Sequence, residues 1–198
     1  PNIMVWTGTF FIKEANTPTI ADWHQDSAYH GTEPGGSVAA WVALTEASEA
    51  AGCMDVLSFN GAPKLMQHQA HVVENSVNRA GQRITDQFDE SKAVSMPLKA
   101  GEFSFHHGLC LHRSGPNTTG SRRVGLAFNY IRPDFRPVGK FRTCAMLVRG
   151  EDRYNNFRRV EPAKSEFDED ALAVHKQAVE VYRETYREQE PLHATKFA

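Results

Sequence analysis

Residues 101–130 read GEFSFHHGLCLHRSGPNTTGSRRVGLAFNY. Aromatic and β-branched residues gather in 102–107 and 123–130, the composition of strands. Ser114-Gly115-Pro116-Asn117 carries turn chemistry between them. Side chains two apart on a strand share a face. Arg123 therefore lies with Gly125 and Ala127, whose small side chains leave room for a ligand beside the guanidinium, while Arg122 points the other way. By the same rule His106 and His107 face opposite ways, so at most one of them approaches a site shared with His112, which stands at a strand end before the turn. All three histidines compete as metal ligands.

Outward from this stretch the chain keeps the same character. Residues 3–13 (IMVWTGTFFIK) read as one strand, or a bent pair around Gly8, with Thr9, Phe11 and Lys13 on one face. Residues 38–44 (VAAWVAL), 52–59 (GCMDVLSF) and 93–98 add further strands, and 30–37, with Gly31, Pro34, Gly35 and Gly36, reads as a loop. The polar run 63–94 is expected to be an insertion loop with a short helix near 64–69; such length without structure is usually functional. Many short strands with turn punctuation indicate an all-β sandwich or barrel. The tail differs: between 168 and 189, Ala171, His175, Ala178, Val179, Tyr182 and Tyr186 recur at spacings of three and four. That pattern predicts an amphipathic helix within 164–190, packed on the outside of a single domain of residues 1–198 and stopped by Pro191.

Composition narrows the function. A formal net charge of -2 provides no field for nucleic acid or an anionic membrane, and the Arg122–Arg123 and Arg158–Arg159 pairs are isolated. Cys53, Cys110 and Cys144 are odd in number and lack paired spacing, so three free thiols in a reducing, cytoplasmic setting are expected. No apolar run approaches the roughly 20 residues of a membrane span, and no signal peptide is visible. Since the chain opens at Pro1 and enters strand-like sequence at once, an upstream segment is expected to have been trimmed.

In Trp23-His24-Gln25-Asp26, the imidazole and carboxylate two apart project to the same side and can reach one ion. A histidine near an aspartate is common and carries little alone. Joined by one more histidine from the 106–112 cluster, the pair makes a 2-His-1-carboxylate facial triad with open positions for substrates. Ser114 and Arg123 then fit 2-oxoglutarate: its keto-acid head chelates iron and its distal carboxylate needs a fixed cation and a hydroxyl donor.

Three segments, WHQDSAYHG (23–31), AWVALTEASEAAGCMDV (40–56) and LKAGEFSFHHGLCLHRSGPNTTGSRRVGLAFNYIRPD (98–134), resemble in order the phytanoyl-CoA dioxygenase family of Fe(II)/2-oxoglutarate-dependent oxygenases. The resemblance covers most of residues 1–136. It implies a mainly β fold, a double-stranded β-helix (jelly roll, cupin-like) of about eight strands. It carries the iron ligands onto His24, Asp26 and His112, the distal-carboxylate pair onto Ser114 and Arg123, and further co-substrate contacts onto Trp41 and Thr9; His107 falls on a position that is not a ligand. Asp26 stands where related halogenases have a small residue, which favours hydroxylation. Two departures are visible: the family's N-terminal helical part is absent, and Ser58-Phe59-Asn60-Gly61 replaces a PGSH-like stretch.

The implied cofactors are Fe(II), 2-oxoglutarate and O2, with a C–H bond of a small organic substrate hydroxylated as the keto acid becomes succinate. Lys13, Gln25, Tyr29 and Asn129 are the candidate substrate contacts, and 67–90 is the candidate lid. His30, His68, His71, His175 and His193 read as surface residues, and Arg132 and Arg136 as solvated. The alternatives are a cupin-type metalloenzyme that does not use 2-oxoglutarate and a jelly-roll metal-binding module. Substrate identity and oligomeric state stay open.

Overall fold

A computed structural model describes residues 1–33, 35–59, 61–72, 74–77 and 82–188. Two antiparallel sheets dominate. The larger is ordered β14 (Arg158–Arg159), β13 (Cys144–Arg149), β1 (Ile3–Lys13), β11 (Arg123–Ile131), β4 (Val38–Ala43), β9 (Phe103–His107), with only the β13–β14 pair parallel. The smaller is ordered β2 (Ala21–His24), β10 (Leu111–Ser114), β5 (Met54–Leu57), β8 (Val94–Met96), and β3 (Thr32–Glu33) pairs separately with β12 (Arg136–Pro137). The non-consecutive neighbours are those of a jelly roll, as expected. A cavity of about 570 Å³ lies between the sheets, lined by both.

Strand alternation sets what faces it. From β1, Thr9 and Phe11 line the cavity, from β11 Arg123, Ala127 and Asn129, and from β4 Trp41. The opposite face of the same sheet is apolar and open: Phe10, Ile12, Phe103 and Phe105 are all exposed. Two core clusters border the cavity and share Trp6, Trp41 and Ala127 with its wall. One cluster joins Met4, Trp6, Ile131, Phe135, Ala145 and Phe157; the other joins Trp41, Ala43, Ala47, Cys53 and Ala127.

Two regions depart from the sequence reading. Residues 64–69 form no helix. Instead β6 (His68–Ala70) pairs with β7 (Gln82–Ile84), and a single 3-10 turn, Glu90–Lys92, is capped by Asp89. The polar pattern of this region carried no helical period to distinguish a hairpin from a loop. The C-terminal helix α2 (Glu169–Glu188) begins where Asp168 accepts from the amides of Asp170 and Ala171. One stripe of it turns to the cavity: His175, Ala178, Val179 and Tyr182 line the opening, and Tyr182 packs on Trp6, while most of the other described helix residues are exposed. No helix among the described residues is long and apolar enough to cross a membrane.

Candidate active site

At one end of the cavity, His24 closes β2, His112 lies directly opposite it on β10, and Asp26 follows two residues beyond the end of the strand. One ligand atom from each lies within 4.8 Å of the others. The lone pairs can be assigned. His24 Nδ1 donates to the Asp22 carbonyl (2.7 Å) and His112 Nδ1 to the Cys110 carbonyl (3.0 Å). A carbonyl only accepts, so both protons sit on Nδ1 and both Nε2 atoms offer bare lone pairs. Each Nε2 is 3.6 Å from Asp26 Oδ1. Burial, with His24, brings His112 down to about 3, so it is neutral. Burial works to raise the Asp26 carboxyl, but the hydrogen bond it accepts from His106 and the imidazoles crowded around it hold it well below the usual carboxylate range. Three lone-pair atoms therefore converge in a buried place, an arrangement that a cation between them resolves. Asp26 occupies the N-cap of α1 (Ser27–His30) without capping it; its carboxylate turns to the imidazoles.

A further histidine joins them. His106 Nε2 lies 3.2 Å from Asp26 Oδ2 and donates to it, leaving Oδ1 for the shared point. His106 faces the cavity from β9, while His107 points away toward Gly36.

The other end is cationic. Arg123 is 4% exposed; its Nη1 donates to the Gly52 carbonyl (2.6 Å), its Nε has no partner, and its guanidinium lies 5.3 Å from the Trp41 ring centroid. Burial pushes it down to about 10. Gly52 is required here: its φ is +69°, and a Cβ would overlap the Gly115 carbonyl oxygen. Gly125 leaves room, but for the Trp41 indole, which a Cβ at that position would overlap, rather than for a ligand. Ser114 is buried on the cavity wall beside Arg123.

With this geometry in view, residues 2–125 match the phytanoyl-CoA dioxygenase (PhyH) family. This chain belongs to the phytanoyl-CoA dioxygenase family. Human peroxisomal phytanoyl-CoA dioxygenase is 32% identical over 113 residues, 56% of this chain and 33% of its own length. A probable phytanoyl-CoA dioxygenase of Caenorhabditis elegans is 28% identical over 112 residues, 56% of this chain and 36% of its own. The chain thus spans about a third of the length of these curated relatives. Among solved structures, the non-haem monooxygenase ThoJ in its apo form is 31% identical with a TM-score of 0.83, over 95% of this chain and 68% of its own. CytC3 with Fe(II) and α-ketoglutarate shares the fold: TM-score 0.53 at 21% identity, over 80% of this chain and 61% of its own.

In this phytanoyl-CoA dioxygenase family chain the remaining candidates divide. Thr9, Tyr29 and Asn129 line the cavity; the Tyr29 ring packs edge-on against His24, and Asn129 Nδ2 donates to Thr7 Oγ1 at 3.0 Å. Gln25, expected to meet substrate, faces away from the cavity. Its Nε2 donates to the Lys64 and Leu109 carbonyls and its Oε1 accepts from the Met66 amide, so it pins the loop behind the metal end. Lys13 is also not on the cavity wall: it is wholly buried behind Ser114. His30, read as a surface residue, lines the cavity against Trp6 and Ser37, and His175 stands exposed at the rim. His68 is half-buried with Nδ1 on the Met66 carbonyl, His71 is exposed, and His193 lies outside the described residues. Arg132 and Arg136 pair on the surface with Asp134 and Glu33. Of the expected lid, Val77 reaches the cavity, and Glu90 accepts from Trp23 and Arg113.

Proposed function

We propose that this chain is a non-haem Fe(II)/2-oxoglutarate-dependent oxygenase that hydroxylates a C–H bond of a small organic substrate, with His24, Asp26 and His112 holding the iron. The observation that carries this is the pairing of ends: converging lone pairs at one, and at the other a buried guanidinium with no ion-pair partner among the described residues, in one cavity. Two Nε2 atoms and a carboxylate oxygen suit a divalent ion with open positions, and a similar protein, the non-haem monooxygenase ThoJ, is known as a nickel complex. A bound Fe(II) would supply the activation of dioxygen. In the balanced reaction, R–H, 2-oxoglutarate and O2 give R–OH, succinate and CO2, one oxygen atom entering the alcohol and the other the new carboxylate.

The chain's own part is binding and orientation. Arg123 and Ser114 take the distal carboxylate, Trp41 walls it, and Thr9 faces it from β1. Tyr29 and Asn129 sit where substrate would lie, and the apolar stripe of α2 keeps water out. The free thiols fit a reducing compartment and so the cytoplasm, which fractionation of producing cells would check. A cupin-type enzyme or a metal-binding module would leave the buried cations without a ligand.

The test is oxygen-dependent succinate formation from 2-oxoglutarate with added Fe(II). Succinate from the wild type that disappears in His112→Ala supports the reading. Metal uptake without any succinate would replace it with one of those alternatives.

A further inference from the structure

Lys13 lies directly opposite Arg123 across the β1–β11 ladder. Like charges so placed repel, and neither has an ion-pair partner among the described residues. Their bonds go to neutral oxygens: Lys13 Nζ reaches Ser114 Oγ (2.8 Å), the Ser114 carbonyl (3.2 Å) and the Gly115 carbonyl, and Arg123 reaches the Gly52 carbonyl. Three acceptors match the three hydrogens of an ammonium. An ammonium can only donate, so Ser114 Oγ must accept and its own hydrogen is left for something else. A neutral amine would use its two hydrogens on the two carbonyls and take the serine hydrogen with its lone pair. The state of Lys13 therefore decides whether Ser114 can donate into the cavity.

We infer that Lys13 is a positioning residue of the co-substrate site: as a distal carboxylate arrives beside Arg123, Lys13 takes up a proton and releases the Ser114 hydroxyl to donate to that carboxylate. This rests on the reading of Ser114 and Arg123 as the carboxylate clamp. Burial, joined by Arg123 and opposed by Cys53, brings Lys13 down to about 7, so both of its forms are present near neutrality before a ligand binds. The groups facing it are Arg123 from β11, Ser114 from β10 and Cys53 from the segment before β5. Burial and Asp55 push the Cys53 thiol up, so it offers no compensating anion.

The sign follows from linkage. A carboxylate raises Lys13, so binding takes up a proton, and affinity falls as pH rises above about 7, by at most about tenfold per unit. The experiment is anaerobic calorimetry on the Fe(II)-loaded protein across about pH 6 to 9. The probes are 2-oxoglutarate and 2-oxovalerate, which has the same keto-acid head and a methyl group in place of the distal carboxylate. The 2-oxovalerate profile removes any contribution from the iron ligands. Wild type should lose 2-oxoglutarate affinity with rising pH and show proton uptake in buffers of different ionisation heat. Lys13→Met should bind 2-oxoglutarate roughly ten- to hundredfold more weakly, flatten the profile and leave 2-oxovalerate unchanged. Ser114→Ala should flatten it too, with no further loss in the double variant.

A pH-independent wild type overturns the inference, as does a Lys13→Met variant that weakens both keto acids equally, the mark of a merely structural lysine. Should Lys13→Met fail to fold, the wild-type profile and Ser114→Ala still decide. Failure of the clamp reading looks different: 2-oxoglutarate would bind no more tightly than 2-oxovalerate, or Arg123→Ala would leave its affinity unchanged.

Discussion

The two ends of the cavity are electrostatic opposites. At the metal end one carboxylate accepts from His106 and faces the Nε2 lone pairs of His24 and His112. At the other, Lys13 and Arg123 sit side by side with no ion-paired carboxylate among the described residues. Each end is unfavourable alone, since uncompensated groups in a dry site are expensive. Under the proposed function each would be compensated by a different guest, a divalent cation at one and an anionic carboxylate at the other. His112 and Ser114 stand two apart on β10, roughly 7 Å along the strand, a span that a five-carbon keto diacid held at both ends bridges. On that reading one short strand would set both the chemistry and the length of the co-substrate.

Breaking the metal end should have the larger consequences. His112→Ala removes one of three ligands. Its succinate formation and iron content should both fall by more than about a hundredfold, beyond the range typical for residues that only support a ligand. Next comes His106→Leu, which removes the donor to Asp26 Oδ2; metal affinity by titration should weaken by about ten- to hundredfold. Breaking the cationic end is more selective. Arg123→Ala should leave iron content intact and raise the 2-oxoglutarate concentration needed for half-maximal turnover by about ten- to hundredfold, as for loss of a charged hydrogen bond. Loss of iron in that variant would mean that the two ends are not separable. Gly125→Ala sharpens the comparison further. Its Cβ overlaps the Trp41 indole, so overpacking should cost about 1–3 kcal/mol, read as a lowered Tm, with the deficit in turnover concentrated in co-substrate affinity. The mildest effect belongs to Gln25→Ala, which loses three loop contacts but touches neither end. It should lose about 1–3 kcal/mol of stability and keep its co-substrate affinity.

What was readable from the sequence follows the range of the interaction. Local rules sufficed for the alternation on β11 that turns Arg123 inward and Arg122 outward; His24 and Asp26 do converge, but from a strand end and the N-cap of α1 rather than by alternation along one strand. Turn punctuation was enough for a mainly β fold. Registers between distant strands were not readable. Lys13 is buried because β1 meets β11 with Lys13 opposite Arg123, and nothing near Lys13 in the chain announces it. Gln25 is held by Lys64, Met66 and Leu109, far along the chain. His106 could have been favoured over His107 only by knowing that β9 pairs with β4 so that Ser104 and His106 face inward. The periodicity of α2 identified its apolar stripe correctly but not its partner, which is the mouth of the cavity. The open apolar face of Phe10, Ile12, Phe103 and Phe105 was hidden for the complementary reason: strand composition reports apolar residues without saying which face is covered.

The claim that the two ends form one site is tested most directly by anaerobic titration of 2-oxoglutarate into the wild-type protein with and without Fe(II). Binding that needs both the metal and the distal carboxylate, and is lost when either is withheld, is the predicted result. Equally tight binding without Fe(II) would contradict it, because the cationic end would then be holding the diacid alone.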